Sequence, residues 1–419
     1  MHRIEIKNFG PIIKVDMEIT KMTFLLGEQA SGKSTIAKLV YFFRTAQEEF
    51  INIIANDFDK WIGCKRAYES LLKSKFNNIF GTAPSLGRFE ITYHYSLDTS
   101  IKAMLVVDNN VQITINKSLN EKLSTAWTDL KPKNQNGKAN GLDITGKRGI
   151  QNIFHDDYYC IYIPAGRALL SRQMLLRMIV SREANLINDR ILDYKRFDVI
   201  DAPTRKYMVE AEDTRIWFEA PKTYNDNDKF LISTSEKILK GKYTSSNDND
   251  YIKIMNQHLV PLSYSSSGQQ EVVWLLNILH YYAFLGQKCF VIIEEPEAHL
   301  HPDAQYLLVQ YIAAFNNMTD SEVLLTTHSP YILSSCNNLF FAEKSARNNT
   351  NSDDISCIIP KNCWLNAEDA SAYLVENSTI RNIMDKELAM VDIAELDKVA
   401  SDQDDQYEEL LRLSRGGTE

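Results

Sequence analysis

Three observations predict an α/β fold. The run Met22 to Leu26 is continuously apolar, and it leads through Gly27-Glu28-Gln29-Ala30-Ser31-Gly32-Lys33-Ser34-Thr35 into a helix-like segment, Ile36 to Phe43. Two later apolar runs end in polar residues: Phe290 to Ile293 in Glu294-Glu295, and Val323 to Leu325 in Thr326-Thr327-His328. Alternating apolar and polar residues over 3–7, 12–19 and 88–116 read as antiparallel hairpins. A mixed-sheet lobe plus an antiparallel β lobe is expected, with an inserted helical lobe and a helical C-terminal extension.

In chain order, Arg3 to Lys7 and Ile12 to Ile19 are strands joined by a turn at Asn8-Phe9-Gly10-Pro11. Residues 36–80 carry apolar residues at helical spacing. Phe89 to Tyr95, Ala103 to Val107 and Val111 to Ile115 are strands, with a turn at Asp108-Asn109-Asn110. Residues 117–150 are polar and read as a surface loop. Tyr158 to Ile163 is a buried strand that ends in Pro164-Ala165-Gly166-Arg167. Residues 168–218 read as helix, with nine basic and eight acidic side chains, a balance that suits a solvated or partner-binding lobe. Short strands are expected over 229–264, then an apolar helix from Val272 to Phe284. Tyr373, Ile380, Ile383, Met384 and Leu388 have the spacing of an amphipathic helix. From Val391 to Glu419, nine acids stand against three bases, a solvated charge run.

Composition narrows the function classes. The chain has 419 residues, 44% of them hydrophobic and 24% charged. No run approaches about 18 uninterrupted apolar residues, so no spanning helix is expected. The N-terminus lacks a signal-peptide core. Cys64, Cys160, Cys289, Cys336, Cys357 and Cys363 are scattered without a C-x-x-C pair. A reducing, cytoplasmic setting fits that usage. The net charge of −9 does not favour a chain whose main task is to grip duplex DNA.

Residues 27–35 form a G-x-x-x-x-G-K-[ST] phosphate loop between a strand and a helix. Its glycines let successive backbone N–H groups face inward as an anion nest, and the helix N-terminus adds a positive dipole end. Lys33 can reach the β- and γ-phosphates of a nucleoside triphosphate, and the Ser34 hydroxyl can ligate Mg²⁺. Glu294 can hold Mg²⁺, and Glu295 can orient and deprotonate an attacking water. His328 at a strand end can contact a γ-phosphate. Ser265-Ser266-Ser267-Gly268-Gln269 before a helix makes a second anion site. That site is redundant within one subunit and useful if it caps a nucleotide held by another. His299 and His301 in Glu297-Ala298-His299-Leu300-His301-Pro302 are two apart, but a metal reading is not favoured there.

Together these four motifs resemble the ABC-type ATPases of the RecF, SMC and OLD group, over residues 1 to about 340. The resemblance implies a P-loop ATPase head in two halves. The first is 1–167, with the phosphate loop and β lobe, and 168–228 is a helical insertion. The second half is 229–345, with signature, acidic strand and switch histidine, and 346–419 is a C-terminal extension. It also implies site roles. Gly27, Ala30, Ser31, Gly32, Lys33, Ser34 and Thr35 bind nucleotide from one subunit. Ser266, Ser267, Gly268 and Gln269 bind it from another. Ser34 and Glu294 hold Mg²⁺, while Glu295 and His328 are catalytic. Residues 297–302 match the D-loop.

Glu294 departs from the aspartate common at the metal position. The Q-loop glutamine has two candidates, Gln151 and Gln173. Extended coiled coils and a TOPRIM pattern are absent from the sequence. Tyr162 to Arg167, and Val260 to Tyr264 running into the signature, resemble the ATPase subunit of Septu-type antiphage systems, with the PARIS ATPase as rival. Either resemblance implies an ATP-bridged homo-oligomer that controls a partner nuclease subunit, with nucleic acid met through that complex and no membrane. The alternative is a RecF-like repair ATPase acting directly on DNA.

Overall fold

The computed structural model describes residues 2–56, 65–81, 88–106, 110–130, 144–168, 200–219, 224–246, 249–254, 258–348, 352–392 and 394–414. In chain order the elements are β1 (His2–Phe9), β2 (Ile12–Ile19), β3 (Met22–Leu26), α1 (Lys33–Arg44), α2 (Ala46–Asn56), α3 (Lys65–Phe80), β4 (Glu90–His94), β5 (Ser100–Val106) and β6 (Asn110–Ile115). Then come α4 (Lys117–Leu130), α5 (Ile144–Phe154), β7 (Tyr159–Ile163), α6 (Ala202–Glu219), α7 (Asp226–Leu239), β8 (Lys242–Ser246), β9 (Asn249–Lys253) and β10 (Leu259–Pro261). The second half continues with α8 (Ser267–Phe284), β11 (Cys289–Glu294), α9 (Pro302–Thr319), β12 (Glu322–Thr327), α10 (Pro330–Asn348) and α11 (Ser352–Ile358). It ends with β13 (Ala370–Glu376), β14 (Thr379–Asn382), β15 (Met384–Asp385), β16 (Met390–Val391) and α12 (Ala394–Ser414).

The continuous apolar runs become strands buried on both faces. Phe24 and Leu26 of β3 join one hydrophobic cluster and Leu25 joins the other. Val291 and Ile293 of β11 face the first cluster, while Phe290 and Ile292 face the second. The central sheet has the order β14-β13-β3-β12-β11-β7. β13, β3, β12, β11 and β7 are parallel, and β14 alone runs against them. A second sheet, β2-β1-β4-β5-β6, is antiparallel throughout. Helix α1 lies in the core between them, with Ile36, Leu39, Val40, Phe42 and Phe43 fully covered. The molecule is therefore an α/β fold with a mixed-sheet lobe and an antiparallel β lobe.

Several local expectations are corrected. Residues 117–130 and 144–154 are helices where a loop was expected, because Leu119, Leu123, Ile150 and Phe154 bury an apolar stripe. Residues 226–239 are a helix where short strands were expected. An Asn225–Asp228 capping box starts it, and Leu231, Ile238 and Leu239 pack inward at helical spacing. The C-terminal extension is not helical throughout. Residues 370–374 of β13 pair with β3 in the six-stranded sheet, and residues 379–382 pair with β13. The stretch 131–137, most of the insertion expected over 168–228, Cys64 and Gln173 lie outside the described residues.

Candidate functional site

Five parallel strands share one direction, so their C-terminal ends meet at one edge of the central sheet. A crevice at such ends is the usual ligand position in an open α/β sheet. Register fixes the levels: Glu294 is opposite Thr326, Thr327 opposite Leu26, and Leu26 opposite Leu374. The phosphate loop, the acidic pair and His328 thus emerge side by side from β3, β11 and β12.

The phosphate loop is curled as its sequence requires. Gly27, Ala30 and Gly32 have φ of 141°, 63° and 108°. A Cβ on Gly27 would stand 2.3 Å from the Val375 carbonyl oxygen of β13. The Lys33 ammonium donates to the carbonyls of Gly27 at 2.8 Å and Glu28 at 2.6 Å. Burial lowers the Lys33 pKa, and the carboxylates of Glu295, Glu297, Glu28 and Glu294 act in the opposite direction. Carboxylates from a segment more than 250 positions later thus act on this ammonium.

Glu294 is buried at the end of β11. Its Oε2 accepts a hydrogen bond from the Ala165 amide at 3.3 Å, while Oε1 has no hydrogen-bond partner. An uncompensated buried carboxylate oxygen is costly, and a cation would satisfy it. With the Ser34 hydroxyl as second donor, the pair fits Mg²⁺, a hard cation that prefers oxygen ligands. Next in the chain, Glu295 is half-buried with φ of 44°. A left-handed glutamate costs on the order of 1–3 kcal/mol and needs support from its surroundings. Its amide donates to the Thr326 carbonyl at 2.9 Å.

Glu297 supports the histidine strand. One oxygen accepts from the Thr327 hydroxyl at 2.7 Å and from the His328 amide at 3.0 Å. The exposed His328 ring comes within 3.6 Å of the same oxygen. Reading residues 297–302 only as a D-loop match missed this role.

The signature caps α8. Ser266 is its N-cap, in a capping box with Gln269: the Gln269 amide donates to Ser266 Oγ at 3.3 Å, and Gln269 Oε1 accepts from the Ser266 amide at 3.0 Å. Ser266 and Ser267 are exposed, whereas Gly268 is buried. A Cβ on Gly268 would lie 2.6 Å from the His299 carbonyl oxygen, so the signature and the 297–302 segment pack backbone to backbone.

Arg167 was missed as a site residue. Fully buried, it donates to the carbonyls of Glu294 at 2.7 Å, Glu295 at 3.0 Å, Pro164 at 3.0 Å and Glu271 at 3.2 Å. Its signal in the sequence was a strand end followed by a glycine and a lone arginine. The loop after β7 is also what reaches Glu294. Gln151 lies in α5, before the N-terminal end of β7, and so belongs to the far edge of the sheet.

A match to the AAA ATPase domain family covers residues 1–161 and 188–333. Protein ea59 of Escherichia phage lambda is 26% identical over 130 residues, 28% of this chain and 24% of that protein. The chain thus spans about a quarter of the length of that curated relative. A SmcHead bound to the C-winged helix domain of ScpA superimposes with a TM-score of 0.43 and 12% identity, covering 91% of this chain and 96% of the other. The SMC head domain from Thermotoga maritima gives a TM-score of 0.38 and 9% identity, covering 91% and 98%. An Smc head with an extended coiled coil from Pyrococcus furiosus gives a TM-score of 0.41 and 11% identity, covering 96% and 99%. On the family match, which takes in well over half of its length, the chain belongs to the AAA ATPase domain family.

Proposed function

We propose that the protein is an ATP-hydrolysing, ABC-type regulatory subunit of a bacterial antiphage defence complex, in which it assembles with and controls a partner nuclease. The observation that carries the ATPase reading is the strand register that brings the phosphate loop, Glu294-Glu295 and the Glu297–His328 pair to one sheet edge. Gly27, Ala30, Ser31, Gly32, Lys33, Ser34 and Thr35 cradle the phosphates of ATP. Ser34 and Glu294 hold Mg²⁺, which when bound offsets the charge on the phosphate oxygens. Glu295 takes a proton from a water whose oxygen attacks the γ-phosphorus. The bond from that phosphorus to the bridging oxygen breaks, and its electron pair leaves with ADP. His328, held by Glu297, stands where the γ-phosphate ends and senses its loss.

Ser266 and Ser267 are exposed at the start of α8, and the Ser266 side chain bonds only within its own capping box. This supports a site completed in trans, and hence an ATP-bridged homo-oligomer. The nuclease reading draws on the two phrases that resemble Septu-type ATPase subunits, Tyr162 to Arg167 and Val260 to Glu271. In the fold these phrases touch through Arg167 and Glu271.

The decisive experiment compares two variants of the full chain. Glu295→Gln should bind ATP with unchanged affinity and hydrolyse it on the order of 10²-fold more slowly. Ser266→Arg should bind ATP as an isolated subunit, with weakened ATP-driven self-association and a reduced but measurable turnover. Wild-type turnover by Glu295→Gln, or a fully active monomer in sedimentation at assay concentration, overturns the reading. Co-purification of a nuclease with the tagged chain from its native host tests the regulatory part, and cleavage of DNA by the isolated chain refutes it.

A further inference from the structure

Among the described residues, Arg167 makes an unusual set of contacts for a buried guanidinium. Four of its hydrogen bonds end on backbone carbonyls, and those carbonyls belong to three different elements: the loop after β7, the end of β11 and helix α8. Its carboxylate neighbour is Glu271, five residues after the signature serine and itself buried. That pair is loosely made. Arg167 Nε stands 3.7 Å from Glu271 Oε2, and this oxygen has no hydrogen-bond partner. A buried carboxylate oxygen left without a hydrogen-bond partner raises the energy of the arrangement, and a closer approach to Arg167 would satisfy it.

At one end α8 begins with exposed Ser266 and Ser267, and Gly268 abuts the His299 carbonyl. At the other, Arg167 holds the carbonyls of Glu294 and Glu295, the two carboxylate residues at the end of β11. Glu295 has a strained left-handed backbone, a conformation that persists only where contacts enforce it.

We infer that Arg167 is a positioning residue that couples the signature helix to the strand-end carboxylates. When a second subunit's nucleotide engages Ser266 and Ser267, α8 shifts, Glu271 closes on Arg167, and Arg167 sets the backbone of Glu294 and Glu295 for hydrolysis. The inference rests on the composite-site reading above. It specifies how one subunit's hydrolytic machinery responds to nucleotide held by another.

The test uses full-length wild type, Glu271→Gln, Arg167→Lys, Ser266→Arg and the double variant Ser266→Arg/Glu271→Gln. Coupling predicts that Glu271→Gln keeps ATP affinity and ATP-dependent self-association within about twofold of wild type while kcat falls about tenfold. Arg167→Lys, which keeps the charge and loses the fork of donors, should show the same split between affinity and kcat. The double variant should be no slower than Ser266→Arg alone, because both changes interrupt one pathway. Should Arg167→Lys fail to fold, Glu271→Gln carries the test by itself. Wild-type kcat in Glu271→Gln, or a slowing of the double variant equal to the product of the two single effects, overturns the coupling while leaving the composite site intact. If Ser266→Arg itself turns over normally, the composite-site reading fails and the coupling with it.

Discussion

His2 shows how one side chain can tie a domain together and fix its own protonation state. Its Nδ1 lies 3.0 Å from an Arg44 guanidinium nitrogen and 2.9 Å from the Tyr93 hydroxyl, and Nε2 lies 3.1 Å from the His155 carbonyl. Only a neutral ring with its proton on Nε2 satisfies all three, because Nδ1 must accept from Arg44. Burial first, and then the positive charge of Arg44, hold the His2 pKa well below its usual value. Arg44 is also paired with Asp156 at 3.0 Å and Glu322 at 2.8 Å. The linkage has one sign. A histidine with a depressed folded pKa contributes stability that is complete above the unfolded value near 6.5 and is lost as pH falls through the folded value. The melting temperature of wild type should therefore drop between pH 7 and pH 5 more steeply than that of His2→Gln, whose amide oxygen can still accept from Arg44. Parallel curves in a pH series of thermal melts would rule out His2 as the titrating group.

Strand β13 has an unexpected place: it lies against β3, the strand that feeds the phosphate loop. Val375 in β13 crowds Gly27 so closely that no side chain fits there, and the φ of Gly27 is itself a glycine value. Gly27→Ala should thus both strain the loop and force β13 away. A destabilisation on the order of 3 kcal/mol is expected, with loss of ATP binding. Urea unfolding measures it, and a change under about 0.5 kcal/mol, within the range of ordinary surface substitutions, would contradict the close approach. The hydrophobic spacing of Tyr373, Ile380, Ile383 and Met384 gave no warning of this. A short, fully buried strand has apolar residues at every position, so its periodicity cannot be told from a helix. Similarly, α7 is rich in Ser and Thr and reads as strand by composition, and its capping box and its packing on the core make it a helix.

Over the whole molecule, two ends of the central sheet do different work. The C-terminal ends of the strands gather the phosphate loop, carboxylates and His328, while Arg44, His2, Asp156 and Glu322 lock the opposite end. Helix α12 takes part in neither. From Gln403 to Ser414 it is exposed apart from half-buried Leu411, and it sets Tyr407, Leu410 and Leu413 on an otherwise acidic helix. Val391, by contrast, is buried and hydrogen-bonded through its backbone to Asn337. A truncation that begins at residue 393 should consequently keep the fold and ATP turnover. If α12 carries the partner, the truncated chain should no longer co-purify it, and retained co-purification would move the interface elsewhere. No helix among the described residues is long and apolar enough to cross a membrane.

The phosphate loop, the acidic strand, the histidine strand and the serine-rich helix cap are all legible along the chain. Each is a local pattern in which a turn, a buried strand end or an N-cap needs particular residue types within a few positions. Tertiary structure alone decided which distant residues join them. Glu297 becomes the support of His328 only because β11 and β12 lie in register. Arg167 becomes a hub only because β7 ends beside β11 and under α8. Val375 dictates a glycine at position 27 only because a strand nearly 350 residues later pairs with β3. Contacts of this kind depend on how strands are ordered in a sheet, and strand order leaves no periodic trace along the chain.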